Sequence, residues 1–366
     1  LKAGQVQLLG RRLTDVEASA SASATQWTVR VNSGQVAGDF VWDGAGSGKL
    51  SARLKRLTLD PANEASRAGA RDAVEKLPAL DIVADDFSVG PRRFGRLEVQ
   101  ARNDGGNWQL TRVETGDAYG KLTGRGLWQS AGGKNRTQLE FDVDSSDVGK
   151  LLERLGYPGA VRAGTAQLAG KLGWNGAPTD LDFESLSGEM TLDAQRGQFI
   201  KLDPGAAGKL LALISLQELP RRISLDFKDV FSEGLAFDSI VSKLSVQSGV
   251  MRTDRLQIDG PSARVVMRGE VDLKRETQRL TVNVQPDLSS TAAIGVGLIN
   301  PLAGVATLLA QKALQGPLNQ IFSVDYLITG TWDDPKVDKI TGTAAAPPRL
   351  PTINEPAGAR HESATE

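Results

Sequence analysis

The chain has 366 residues, with 43 Lys+Arg against 44 Asp+Glu for a formal net charge of −1, no cysteine and a single histidine, His361. That composition excludes a basic field able to hold nucleic acid. It also excludes disulfides, thiolate metal sites and catalysis by Ser-His-Asp or Cys-His in the folded body, so no metal, no cofactor and no catalytic residue is expected. Hydrophobic residues make up 40% and charged residues 24%, which is an ordered, foldable chain. The opening Leu1-Lys2-Ala3 has no Met and no cleavable apolar segment, and reads as a piece of something longer.

Along the chain, period-two alternation dominates and predicts strands with one apolar face. Trp27, Val29 and Val31 alternate with Thr28 and Arg30. The stretch Asp43 to Leu50 imitates a phosphate loop, but Asp43 stands where the first glycine should be and Leu50 replaces the magnesium-binding hydroxyl, so it reads as a hairpin loop. Glu64 to Leu77 is Ala/Arg-rich, follows Pro61 and stops at Pro78, as a helix would. Leu139, Phe141 and Val143 alternate with Glu140 and Asp142. Asp147 to Leu155 reads as a short helix with Asp147 as N-cap. Ala166, Leu168, Gly170, Leu172 and Trp174 form another strand, and Ala206 to Leu219 an apolar helix.

The clearest run is Ile240 to Leu288. Leu244 and Val246 precede a turn at Ser248-Gly249, and Leu256 and Ile258 precede one at Asp259 to Ser262. Val265, Met267, Val271 and Leu273 then face one way, with Arg264, Arg268, Glu270 and Asp272 opposite. Leu280, Val282 and Val284 close the run. Short loops between alternating strands predict an antiparallel meander with a wet charged face and a covered aliphatic one. Leu288 to Gln311 is uncharged, long enough to span a membrane but interrupted by Asn300-Pro301 and glycines. Ala344 to Glu366 reads as disordered.

Several strands end in tryptophan and then turn, at Trp42, Trp128, Trp174 and Trp332, which reads as rings capping hairpin ends. The carboxylate pairs Asp85-Asp86, Asp142/Asp144 and Asp333-Asp334 read as solvated or turn-forming residues rather than an acid/base pair. Periodicity leaves two closures for the aliphatic face. One is a sandwich with a dry core, which the residues alone favour, and the other an open groove lined for a ligand.

Longer patterns carry a resemblance. Gly170 to Pro178, Leu186-Ser187-Gly188, Gly197-Gln198-Phe199 and Asp203 to Leu211 resemble the AsmA-like superfamily. Leu219 to Gly234, Phe237 to Ile240, Gly260 to Ala263 and Gly330 to Pro335 resemble its YhdP family in particular, from about Gly116 to Lys339 and more loosely before. The resemblance implies the C-terminal portion of a large Gram-negative envelope protein, anchored in the inner membrane by an N-terminal helix and reaching through the periplasm to the outer membrane. It implies a non-catalytic, bridge-like carrier of phospholipid. The fold it implies is a mostly β, long antiparallel, strongly twisted sheet curled into an elongated open apolar groove, with a few short helices near the C-terminal end.

On that basis the chain is expected to divide into groove-forming repeats at 1–115, a β region at 116–287, an apolar helical segment at 288–315, closing strands at 316–343 and a tail at 344–366. Acyl chains are expected against Leu244, Val246, Leu256, Ile258, Val265, Met267, Val271, Leu273, Leu280, Val282 and Val284. Membrane contact is expected at Ile294, Leu298, Ile299, Leu302, Leu308 and Leu309, or else that segment plugs the groove. Carrying a diacyl lipid through water exposes about 30 methylenes, on the order of 25 kcal/mol, and an aliphatic surface removes that barrier without chemistry. The rival reading is a periplasmic assembly factor, as in TamB-like relatives, binding polypeptide at a sheet edge.

Overall fold

The computed structural model describes residues 1–8, 11–59, 77–105, 107–131, 134–178, 180–200, 235–286 and 323–340. Alternation becomes strand almost everywhere. The first five strands are β1 (Lys2–Leu8), β2 (Arg11–Ala22), β3 (Gln26–Asn32), β4 (Val36–Asp43) and β5 (Lys49–Leu59). Then come β6 (Ala79–Val89), β7 (Arg92–Asp104), β8 (Asn107–Gly116), β9 (Gly120–Ala131) and β10 (Lys134–Ser145). One short helix, α1 (Val148–Arg154), follows. The rest are β11 (Val161–Asn175), β12 (Ser187–Phe199), β13 (Leu235–Gln247), β14 (Val250–Asp259), β15 (Ala263–Asp272), β16 (Thr277–Pro286), β17 (Val324–Gly330) and β18 (Pro335–Ile340).

These strands form one 18-stranded sheet, long, twisted and curled, that does not close into a barrel. Each strand pairs with the next in sequence, from β1–β2 through β17–β18. Every pair is antiparallel except β5–β6, which is parallel, with Lys49 opposite Ala79 and Leu54 opposite Ala84. That pair departs from the expected meander because residues 60–78 intervene, a connection long enough to carry the chain back to the end where β5 began.

Local chemistry explains the turns. Between β13 and β14 both central residues, Ser248 and Gly249, have positive φ (50° and 75°). That backbone follows the twist of the flanking strands and joins them in two residues. α1 begins where expected: the Asp147 side chain accepts the Lys150 N–H, and the Arg154 guanidinium pairs with Asp117 in the β8–β9 turn. Leu151 rests on Gly120, where any Cβ would come within 2.9 Å of it. The helix read at 64–77, apart from Leu77 itself, the helix read at 206–219, the 288–315 segment with all six expected membrane-contacting residues, and the 344–366 tail lie outside the described residues. Among the described residues, no helix is long and apolar enough to cross a membrane.

Candidate functional site

The register places the inward side chains of successive strands in continuous rows. One row runs Trp27, Trp42, Leu50, Leu80, Ala101 and Leu110 across β3 to β8. It continues Gly126, Leu139, Leu172, Gly188, Val246, Met251 and Val271 to β15. A parallel row runs Leu54, Ala84, Leu97, Thr115, Leu122, Val143, Leu168 and Leu192, then Ser242, Leu256, Met267, Val282 and Tyr326. A third joins Ala166, Ala194, Ile240, Ile258, Val265, Val284 and Val324.

Burial along these rows is uneven. Over β4 to β8, Phe40, Ile82, Phe87 and Val99 are only part-buried around Ala52, Leu54, Ala84 and Leu97. Over β11 to β16 the face holds a cavity of about 420 Å³, within the range of ligand pockets, roughly 300–1,000 Å³. Val148 and Leu152 of α1, with Ala160, Val161, Phe199 and Phe237, line it on one side. Leu168, Met190, Leu192, Ile240 and Met251 line it from the sheet. The Phe199 and Phe237 rings are 5.2 Å apart. Phe237 lies on Gly197, where a Cβ would stand 2.5 Å from the ring.

The eleven residues expected to line an apolar path share the inward face but not one environment. Leu244, Leu256, Met267, Val271 and Leu280 line the cavity. Ile258, Val265, Val282 and Val284 are fully buried in a packed cluster with Tyr326 and Ile328. Val246 packs with Trp174 and Leu186, and Leu273 touches both groups. The reading from residues alone passed over the contributions of β11, β12 and α1. The alternation of Met190, Leu192 and Ala194 was an available signal for β12; nothing local marks Val148 and Leu152 as cavity residues.

The opposite face is charged and cross-linked. Asp85 pairs with Arg96 (2.8 Å), Arg96 with Glu98 (3.0 Å), Arg112 with Glu114 (2.6 Å) and Lys121 with Glu114 (2.6 Å), a ladder across β6 to β9. Arg125 and Lys171 flank Glu140 at 2.8 and 3.3 Å across β9 to β11. The hydrogen bond from Lys121 holds the Glu114 carboxyl below the usual range, and that from Arg125 does so for Glu140. Exposed pairs of this kind are worth ~0.2–1 kcal/mol each and chiefly keep the face wet. A wider, open hollow of about 950 Å³ on this face is bordered by Asp142, Asp144, Asp193 and Asp254 with Lys243 and Arg255. Among the described residues, no group of His, Cys, Asp and Glu could hold a metal ion.

The expectation of a uniformly wet charged face fails on β15. Glu270 and Asp272 are 5% and 6% exposed. Glu270 accepts from Arg252 Nε at 2.8 Å. Asp272 accepts from the N–H groups of Lys274 and Arg275 at 3.0 and 2.8 Å, fixing the β15–β16 turn. Carboxylates bonded in this way are buried at acceptable cost.

The two ends of the strands differ. All six tryptophans of the chain lie toward one end. Trp27 faces Trp42, Trp108 faces Trp128, Trp128 and Trp174 flank Thr137, and Trp332 sits in the β17–β18 turn with its backbone N–H donating to Glu276 O (2.9 Å). Trp108 Nε1 donates to Pro78 O (3.1 Å) and Trp174 Nε1 to Ala177 O (3.0 Å). The buried Nε1 atoms of Trp128 and Trp332 have no acceptor among the described residues. Trp27 and Trp42 are 53% and 37% exposed. Toward the other end lie α1 and the points where the chain leaves the sheet at Phe199 and Pro286 and returns at Leu235 and Val324.

Comparison with known proteins gives the chain's relatives. The profile of the family described as YhdP protein matches residues 1–337. The chain is 31% identical over 251 residues to a protein of Escherichia coli (strain K12) named "Intermembrane phospholipid transporter YhdP". That match covers 68% of this chain but 20% of the relative, so the chain spans about a fifth of the relative's length. No solved structure matches.

Proposed function

The chain belongs to the YhdP protein family, and on that premise we propose that it is a non-catalytic section of a lipid bridge in a Gram-negative envelope, carrying phospholipid between inner and outer membrane. The observation that carries the reading is the set of mainly apolar rows on one face of β3 to β17, backed by a face that carries exposed ion pairs over β6 to β11. Eighteen strands at ~4.8 Å spacing give that face a reach of about 80 Å. Acyl chains lie on the rows and in the cavity under α1, and headgroups remain in water.

No bond is made or broken. The face lowers the ~25 kcal/mol barrier of exposing two acyl chains by replacing water with aliphatic side chains at each step. Of the paired carboxylates, Asp85 is ion-paired with Arg96, and Asp334 lies in a turn where its backbone N–H donates to the Thr331 hydroxyl. The work is done in the periplasm. The 288–315 segment, with Ile294, Leu298, Ile299, Leu302, Leu308 and Leu309, meets the outer membrane, and the rest of the longer protein supplies the inner-membrane anchor.

Native mass spectrometry with lipid extraction on the detergent-free chain tests the reading. Phospholipid bound in stoichiometric amount is expected, and a photo-crosslinker at Leu244 captures it. A chain that carries no lipid, or one that carries strand-forming peptide in its place, overturns the proposal in favour of an assembly role.

A further inference from the structure

We infer that the two ends of the strands are not equivalent to a bound lipid: the tryptophan end is the headgroup side of the path, and the α1 end is where acyl tails terminate. This rests on the reading of the inward face as a lipid path and deepens it by orienting the lipid across the strands.

Three observations carry the orientation. First, pairing register, not local sequence, collects every tryptophan at one end, from the Trp27–Trp42 pair on β3 and β4 to Trp332 after β17. Indole has an apolar body and one polar N–H, and it settles where hydrocarbon gives way to ester and water. Second, the indole N–H groups of Trp108 and Trp174 at that end already bind carbonyl oxygens, Pro78 O and Ala177 O, and the rings of Trp27 and Trp42 are part-exposed there. An ester carbonyl presents the same acceptor chemistry. Third, toward the opposite end the cavity wall over β11 to β13 is built of apolar groups: Val148, Leu152, Ala160, Val161, Phe199 and Phe237. A phosphate there would lose its hydration to hydrocarbon, whereas a terminal methyl loses nothing.

The absence of cysteine allows a direct test on the whole chain. Intrinsic tryptophan fluorescence reports one end, and a bimane on the single cysteine of Leu152→Cys reports the other. The chain is loaded with phosphatidylcholine brominated next to the ester or near the chain terminus, and bound lipid is quantified by extraction. Ester-proximal bromine is expected to quench tryptophan roughly twofold more than terminal bromine, with the order reversed for the bimane. The double variant Trp27→Phe/Trp42→Phe, which alters only part-exposed rings, should lose a substantial share of the ester-proximal quench.

Bound lipid with equal or reversed quenching at the two ends overturns the orientation and leaves the lipid path intact. No bound lipid of either kind overturns both.

Discussion

The apolar rows cross two regions with the same alternation and opposite fates. Over β14 to β17, Ile258, Val265, Val282, Val284 and Ile328 are wholly buried. Over β4 to β7, residues of the same kind on the same inward face, Phe40, Ile82 and Val99, remain part-exposed. The difference lies in what faces the sheet, not in the strands. Side chains from the 157–161 segment, Phe199, Leu235 and Phe237 pack into the first region, and the second has a small cluster of its own strands. A strand pattern therefore specifies a face, and only the covering decides whether that face is core or available surface.

The largest effect that would break this comparison is thermodynamic. Ile258→Ala is expected to destabilise the fold by ~2–5 kcal/mol, because the site is fully enclosed, whereas Ile82→Ala on the open stretch should cost less than ~1.5 kcal/mol. Equal losses in denaturant titrations would erase the distinction. Next comes Gly197→Ala, which drives a methyl into the Phe237 ring and should cost ~1–3 kcal/mol. The displaced ring should also shrink the cavity and reduce bound lipid; unchanged lipid stoichiometry would separate the cavity from the path.

Asp147→Ala removes the α1 cap and should cost ~1 kcal/mol, seen as faster amide exchange at Lys150 than in the neighbouring β10. The smallest effect is in pH. The Glu114 carboxyl is depressed in the folded chain, so its contribution is present above the unfolded value of ~4.3 and is lost as pH falls through the lower folded value. Glu114→Gln should flatten the stability profile in that acidic window and leave it unchanged near neutrality. A variant with the same acid slope as the parent would remove Lys121–Glu114 from the account.

Much of the fold was legible because strand faces and turns are local. Leu256 and Ile258, the Ser248–Gly249 turn and the Asp147 cap all follow from neighbours a few positions away. The parallel β5–β6 step was not legible, since direction after a long connection is a non-local outcome. Nor was the burial of Glu270, which depends on Arg252 from the adjoining strand. Alternation also could not separate Leu280, which borders the cavity, from Val282, a member of the same packed cluster that does not. The tryptophans were visible as strand-end residues, but their gathering on one side needs the pairing of distant strands.

Sequential pairing has a consequence for how such a molecule changes over generations. Because each strand hydrogen-bonds only to its neighbours in sequence, the pairing part of stability is close to a sum of nearest-neighbour terms, as in repeat proteins. Duplicating or deleting one hairpin in the gene would lengthen or shorten the span by about 10 Å and leave every other register as it was. The sheet is a ruler whose length can be edited in fixed increments, so its reach is open to selection separately from the chemistry of its surface.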